Sequence, residues 1–170
     1  SDLSTDEVME FLKKYKQAVI KPIYGNGGDG VFLLSKKDLN LNQILESFLS
    51  LSKEPFMVQK YLPEIIRGDK RIILINGKPV GAIARVPKQN EIRSNIHVGG
   101  SAKKVSISKS DHAICDAIGP ELKKRKLFFV GIDIIGKYLT EINVTSPTCL
   151  IEIKKLSKVD IAKIIWNQLA

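Results

Sequence analysis

Three groups of residues in this 170-residue chain have the types and spacing to do chemistry. The first is Lys21-Pro22, followed by the loop Gly25-Asn26-Gly27-Gly28-Asp29-Gly30. Glycines let backbone N–H groups come close to an anion, and a lysine on the preceding strand adds a point charge for a phosphate. No helix is expected directly after the loop, so it is neither a P-loop nor a dinucleotide fingerprint. A plain hairpin turn rich in glycine accounts for the same residues.

The second group is Glu141-Ile142-Asn143. Residues i and i+2 of a strand share a face, so the Glu141 carboxylate and the Asn143 carbonyl point the same way, with Ile142 and Val144 expected in the core. Hard cations take such oxygen ligands together with substrate phosphates. Asp133, on the preceding strand, is a candidate third ligand. A two-residue turn at Gly136-Lys137 would set Asp133 opposite Thr140, on the wrong face. The metal reading therefore requires a bulge that pairs Asp133 with Glu141; a solvated sheet face is the alternative. The third group is Lys60, Lys70, Arg71, Arg85, Arg93 and Asn95. Arginines suit bidentate contacts to carboxylates and phosphates. Ordinary surface charge explains any one of them, but least well Arg85, which follows the apolar stretch Gly81-Ala82-Ile83-Ala84.

Other reactive residues form no such pattern. His97 and His112 lack a metal-site setting, Cys149 has no histidine neighbour, and no GxSxG is present. The cysteines Cys115 and Cys149 form no CxxC, which argues against a disulfide scaffold or structural zinc and fits a reducing compartment.

The elements that must position these residues are legible in outline. Ser4 to Glu7 is a capping box, followed by Val8, Phe11, Leu12 and Tyr15 at helical spacing. Strands are predicted at Ala18–Ile23, Val31–Leu34, Phe56–Lys60, Arg71–Ile75, Lys78–Ala84, Leu127–Ile135 and Tyr138–Val144. Asn76-Gly77 is a strong hairpin signal. Leu41 to Leu49 reads as an amphipathic helix. A third helix is expected to be capped by Ser110 or Asp111 and to be kinked or restarted at Gly119-Pro120. A last one is expected to start at Ser157, with Ile161, Ile164 and Ile165 facing inward. Tyr61–Asp69 reads as a connector, Thr145–Thr148 as a turn, and the polar stretch Val86–Lys104 as a lid. Helices mixed with hairpins indicate an α+β class (α/β in looser usage), with helices packed on mainly antiparallel sheets.

Composition narrows the partners. Lys and Arg number 27 against 18 Asp and Glu, a net charge of +9. Such a balance favours anionic partners. Aromatics are only 6 %, and no nucleic-acid-binding motif appears, so a nucleic-acid partner is not expected. The basic run Lys123–Lys126 is read as a solvated helix end. No apolar run approaches the roughly 18 residues of a membrane span, and the polar N-terminus is unlike a signal peptide; a cytoplasmic location is expected.

In order along the chain, these pieces resemble the ATP-grasp ligases, and within them the bacterial glutathione synthetase family. The resemblance is carried by Lys21-Pro22 with its glycine loop, Gln59-Lys60-Tyr61-Leu62-Pro63, Gly68-Asp69-Lys70-Arg71, and Arg93-Ser94-Asn95 with Gly99-Gly100. It continues through Phe129-Val130-Gly131-Ile132-Asp133 and the stretch Leu139 to Thr148, the most specific of the set.

The resemblance implies an ATP-grasp fold, with a partial lid subdomain at 1–62 and a C-terminal subdomain carrying metal and substrate sites at 63–170. It implies that Lys21 contacts ATP phosphate and that the loop holding Gly25, Gly27, Gly28 and Gly30 covers the triphosphate. Gln59, Lys60, Tyr61 and Leu62 would line the adenine pocket through backbone groups, with Asp69 near the ribose. Asp133, Glu141 and Asn143 would hold Mg²⁺, with Mn²⁺ as a substitute. Arg71 and Arg85 would bind the substrate carboxylate and the transferring phosphoryl group, with Arg93 and Asn95 on the lid. Ser146, Pro147 and Thr148 would bind the peptide. The implied reaction joins γ-glutamylcysteine and glycine at the expense of ATP. A ligase adding glutamate to a ribosomal protein, or a nucleotide-binding module without catalysis, is the alternative. The resemblance also implies an N-terminal domain and an upstream lid lysine outside this chain, and a homo-oligomer for the whole protein.

Overall fold

The Glu7 backbone N–H donates to Ser4 Oγ at 3.2 Å, and the Ser4 N–H donates to the Glu7 carboxylate at 2.7 Å. This capping box starts α1 (Thr5–Tyr15) in the computed structural model, which describes residues 4–24, 28–51, 55–89, 91, 93–96 and 99–169. Two compact units follow one another along the chain, Ser1–Pro63 and Glu64–Ala170.

In the first unit, Val8 and Leu12 of α1 are buried against a three-stranded antiparallel sheet of order β2-β1-β3. Its strands are β1 (Gln17–Pro22), β2 (Phe32–Ser35) and β3 (Phe56–Lys60). Helix α2 (Leu41–Glu46), extended by a π-helical turn at Ser47–Leu51, completes the core with Leu41, Leu45 and Phe48. Ala18, Ile20 and Leu34 turn toward the helices. Val19 and Lys21 alternate to the opposite face of the sheet, where Gln59 is the cross-strand partner of Val19.

The second unit is built on a five-stranded antiparallel sheet of order β6-β5-β4-β7-β8. A 3-10 turn, Pro63–Arg67, leads into it. The strands are β4 (Asp69–Ile75), β5 (Lys78–Val86), β6 (Ser101–Lys104), β7 (Phe129–Ile135) and β8 (Tyr138–Asn143). Both faces of β4 and β7 are covered, and Ile72–Ile75 and Phe129–Ile132 read as nearly continuous apolar runs. Helix α3 (Lys109–Lys124) packs Cys115 and Leu122 on Ile72, Leu74, Val130 and Ile132. On the other face α4 (Leu150–Ser157) and α5 (Ile161–Leu169) bring Ile153 and Ile161 onto Ile73, Ile75 and Ile83. Among the described residues no helix is long and apolar enough to cross a membrane.

Asn76 and Gly77 both adopt positive φ, 49° and 69°, as a two-residue turn between β4 and β5 requires. A one-residue irregularity follows. Leu74 pairs with Pro79 but Ile73 with Gly81, so Val80 is an extra residue on β5. The same device recurs between β7 and β8: Ile134 pairs with Leu139 but Asp133 with Glu141, leaving Thr140 as the extra residue.

Several sequence expectations change. Ser108, not Ser110 or Asp111, caps α3; Asp111 is the reciprocal partner three residues on, with aspartate in place of the usual Glu or Gln. Lys70 pairs with that same Asp111, tying β4 to the start of α3. The helix runs unbroken through Pro120. The long polar stretch is shortened at both ends, because β5 extends to Val86 and Ser101–Lys104 is a strand. The connector ends before Asp69, which opens β4. Ser157 closes α4, a helix that periodicity did not reveal, and α5 begins at Ile161 with the Lys163 N–H donating to Asp160 Oδ1 at 3.2 Å. Ile142 and Val144 are about half exposed (45 % and 46 %) and are not in the core, because β8 is an edge strand.

Gly77 and Gly119 meet backbone to backbone. A Cβ on Gly119 would lie 2.7 Å from the Gly77 carbonyl oxygen. Helix propensity alone favours Gly119→Ala by about 1 kcal/mol. The overlap reverses the sign, and the substitution is expected to destabilise the second unit by about 1–3 kcal/mol in urea unfolding.

Candidate active site

The face of the second sheet that holds Ile73, Ile75 and Ile83 becomes charged toward one end. There Asp69 stands opposite Arg85, and Arg71 opposite Asp133, as direct cross-strand pairs. All four are buried. Arg71 Nε donates to Asp133 Oδ1 at 2.5 Å, and Nη2 to Oδ2 at 2.9 Å. Arg85 Nε donates to Asp69 Oδ1 at 2.9 Å, while its Nη2 reaches Asp69 Oδ2 and lies 2.9 Å from Asp133 Oδ2. Two carboxylates and two guanidiniums thus form one neutral chain, Asp69–Arg85–Asp133–Arg71. Bidentate forks of this kind are the geometry in which buried charges are tolerated. Among the described residues no buried side-chain polar atom lacks a partner.

The electrostatics are unequal along the chain. Burial works to raise the Asp133 carboxyl, but Arg85 and Arg71 outweigh it and hold the group below the usual carboxylate range. Asp69 is pushed up, chiefly by burial and also by the Asp133 charge, against the lowering by Arg85 and the Ser94 hydroxyl. Burial works to lower Arg85, and Asp133 and Asp69 more than reverse it, so it stays charged.

Glu141, Asn143 and Pro147 lie beside this chain. The bulge at Thr140 places Glu141 directly across from Asp133, the register that the metal reading required. The Thr140 hydroxyl donates to the Asp133 carbonyl at 3.1 Å and fixes the bulge. Asn143 is opposite Gly131, with Nδ2 at 3.5 Å from Asp133 Oδ2. Glu141 is exposed and Asn143 half-buried. Among the described residues no three acidic, histidine or cysteine side chains form a closed metal site. The donor set is one exposed carboxylate and one amide oxygen beside a carboxylate already engaged by guanidiniums. That fits a hard cation completing its shell with phosphates and water, and not an all-protein cage.

Pro147 is buried over β7, where a Cβ at Gly131 would lie 2.7 Å from Pro147 Cβ and 3.4 Å from Arg71 Cδ. Gly131 is the opening that lets this turn sit on the arginine; its neighbours Ser146 and Thr148 are exposed. Arg93 is ion-paired with Glu91 at 2.7 Å, and the Asn95 carbonyl accepts from the Gly100 N–H at 3.1 Å. Lys70 turns to the opposite face and is structural. Sequence reasoning gave no role to Ser94, Thr140 or Gly131; strand register reveals Thr140 and Gly131, and burial reveals Ser94.

The remaining candidates lie in the first unit. Gly28 and Gly30 take positive φ, 86° and 70°. Gly25 and Gly27 fall outside the described residues. Lys21 and Gln59 share a sheet face, whereas the Lys60 ammonium lies 5.7 Å from the Tyr15 ring on the other side. The Tyr61 N–H donates to the Gln17 carbonyl at 3.3 Å, and Tyr61 and Leu62 are half-buried.

The sequence pattern of the prokaryotic glutathione synthetase ATP-grasp domain matches residues 3–158. A glutathione synthetase of Mesorhizobium japonicum is 50 % identical over 95 % of the chain, which covers 51 % of that protein. One of Synechococcus elongatus is 49 % identical over 91 % of the chain and 48 % of its own length. The chain therefore spans about half the length of these relatives. Among solved structures, the ATP-grasp ligase PsnB complexed with minimal precursor, Mg and ADP aligns with a TM-score of 0.68 at 20 % identity, over 98 % of this chain and 49 % of that one. D-alanine–D-alanine ligase of Bacillus anthracis complexed with ATP aligns at 0.63 and 18 % identity, over 96 % and 52 %. The fold is accordingly that of the ATP-grasp ligases.

Replacing Asp133 by Ala leaves two guanidiniums facing one buried carboxylate, and should cost about 3–5 kcal/mol in equilibrium unfolding. Because the native Asp133 carboxyl is lowered, its stabilisation is complete above the ordinary carboxylate range and is lost as pH falls through the native value. Asp69, being raised, contributes the opposite slope. Asp133→Asn should therefore show a shallower loss of stability on acidification, measured by urea midpoints at successive pH values.

Proposed function

This chain belongs to the prokaryotic glutathione synthetase ATP-grasp family, and from that premise we propose that it is the nucleotide-binding and catalytic portion of an ATP-dependent ligase joining γ-glutamylcysteine to glycine. The observation that carries the proposal is the register of β7 and β8, which puts Glu141 and Asn143 on the same sheet face as the Asp69–Arg85–Asp133–Arg71 chain.

In the proposed reaction a peptide carboxylate oxygen attacks the γ-phosphorus of ATP, and the bond to ADP breaks. The glycine amine then attacks the acyl phosphate carbon, phosphate leaves, and the amine gives up a proton. Phosphoryl transfer of this kind needs positioning and charge neutralisation more than a strong protein base. Arg71 and Arg85 supply fixed positive charge for the carboxylate and the transferring phosphoryl group. Their orientation is set in advance by Asp133 and Asp69, so little reorganisation is left for the moment of reaction. Glu141 and Asn143, with Asp133 beside them, would hold Mg²⁺, or Mn²⁺ in its stead. The metal supplies neutralisation of phosphate charge when bound.

Lys21 and the glycine loop of the first unit are assigned to the phosphates, the backbone of Gln59 to Leu62 to the adenine, and Ser146 to Thr148 to the peptide. On this reading 1–62 is part of the lid subdomain and 63–170 the C-terminal subdomain. The segment carrying Arg93 and Asn95 would shield the acyl phosphate from water. ATP, γ-glutamylcysteine and glycine are the proposed partners, the cytoplasm the proposed location and a homo-oligomer the proposed assembly of the whole protein.

Calorimetric ATP binding with and without Mg²⁺ tests the core of this reading. Binding should depend on Mg²⁺, and Glu141→Ala should weaken it at least about tenfold, or about 1.4 kcal/mol. ATP binding indifferent to both the metal and Glu141 would overturn the assignment.

A further inference from the structure

We propose that Thr140 is a positioning residue for the cation site: its hydroxyl decides between two registers of β8 and so keeps Glu141 and Asn143 on the charged face of the sheet. The proposal deepens the reading of those two residues as Mg²⁺ ligands and rests on it.

The return from β7 to β8 offers two registers. Ile135 pairs with Tyr138 and Ile134 with Leu139, as the two-residue turn Gly136-Lys137 dictates. Continued without interruption, that count sets Asp133 against Thr140, Ile132 against Glu141 and Gly131 against Ile142. Thr140 and Ile142 would then stand on the charged face, and Glu141 and Asn143 on the face under α3. The observed register skips Thr140, so that Asp133 meets Glu141 and Gly131 meets Asn143. Both registers share the turn and the first two pairs. They exchange the faces of Glu141, Ile142 and Asn143.

Burial does little to choose between them. Register is firmly set where one face of a strand is buried, and weakly where it is not. Among the described residues β8 pairs only with β7, at the edge of the sheet. Ile142 lies opposite Ile132 on the α3 side, yet it is still 45 % exposed. Glu141 moved to that side would meet an open margin and not a sealed core. The other bulge is secured differently. Val80 belongs to a strand with neighbours on both sides, and it packs on the cluster of Ile73, Ile83 and Ile153.

Thr140 is tied by a polar bond instead. Its Oγ1 donates to the Asp133 carbonyl at 3.1 Å. Asp133 is 2 % exposed, and its carboxylate is gripped by Arg71 and Arg85, so the acceptor is already held in place. In the uninterrupted register the Thr140 side chain would stand beside the Asp133 carboxylate, away from that backbone carbonyl. The bond is therefore made in one register and not in the other, which is what lets a single hydroxyl bias the choice.

The experiment compares Thr140→Val and Thr140→Ser with the unaltered chain and with Glu141→Ala. Thr140→Val removes the hydroxyl and keeps the branched shape, which Val80 shows to be accommodated as the extra residue of a bulge in this sheet. Thr140→Ser keeps the hydroxyl. Cross-strand nuclear Overhauser contacts report whether Asp133 faces Glu141 or residue 140. Calorimetry and amide shifts give the affinity for ATP with Mg²⁺ and, in excess chelator, without it. Thr140→Val is expected to exchange the Asp133–Glu141 contact for one to residue 140. It is expected to weaken ATP about tenfold with Mg²⁺ while the metal-free affinity stays within about twofold. Thr140→Ser is expected to match the unaltered chain in both. A general loss of structure would lower metal-free binding as well.

An Asp133–Glu141 contact that survives Thr140→Val overturns the proposal, as does equal weakening with and without Mg²⁺. Thr140→Ser must hold register and affinity even if Thr140→Val does not fold, and a Thr140→Ser chain that loses either one overturns the proposal too. If Glu141→Ala leaves Mg²⁺-dependent ATP binding unchanged, it is the metal reading that fails, and the Overhauser contacts still decide whether the hydroxyl sets the register.

Discussion

Two aspartates and two arginines can be buried in one sheet face only if each charge meets its opposite, and that demand governs the second unit. Asp69 and Arg85 are cross-strand partners, as are Arg71 and Asp133, so the register of three neighbouring strands is written in charge as well as in hydrogen bonds. A slip by one residue would send these groups among Ile72, Leu74 and Ile132 under α3, without partners. The energetic value of such a network is modest when intact and large when broken. It specifies an arrangement more than it adds stability, and an arrangement of fixed positive charge is what the proposed chemistry asks of the protein.

The surrounding elements follow from that constraint. Apolar packing by α4 and α5 covers the same sheet face only as far as Ile73, Ile75 and Ile83. Beyond that line Pro147 closes over Gly131 and Arg71, while Glu141 on β8 remains exposed. The dry part of the face holds the guanidiniums rigid. The wet rim offers oxygen ligands, a division that suits a cation shared with bound phosphates.

Local chemistry written into short stretches was legible in the sequence. Asn76-Gly77 predicts its own turn because both positions take positive φ, and Ser4 with Glu7 predicts the first cap. What depends on distant contacts was not. Helix α4 starts at Cys149 in a left-handed conformation with no side-chain cap, and is held by Ile153 lying against Gly81 far away in sequence. The α3 cap lies two or three residues before the expected Ser110 or Asp111, because Asp111, not a glutamate, answers Ser108. The candidate site was legible as residue types and order. The pairing of Asp69 with Arg85 was not, because the tight turn by itself sets Asp69 against Ala84, and only the extra residue Val80 corrects the match.

Val80 and Thr140 give the two hairpins a shared arithmetic. In each, the turn is an even, two-residue loop, and one odd residue on the returning strand inverts which side chains face the charged chain beyond it. Chain length between turn and site therefore matters only as odd or even. Removing the odd residue and adding one to the turn are compensating edits, whereas either alone turns Arg85 or Glu141 to the opposite face. A change in the length of either hairpin keeps its charged side chain on the site face only when it comes as a pair.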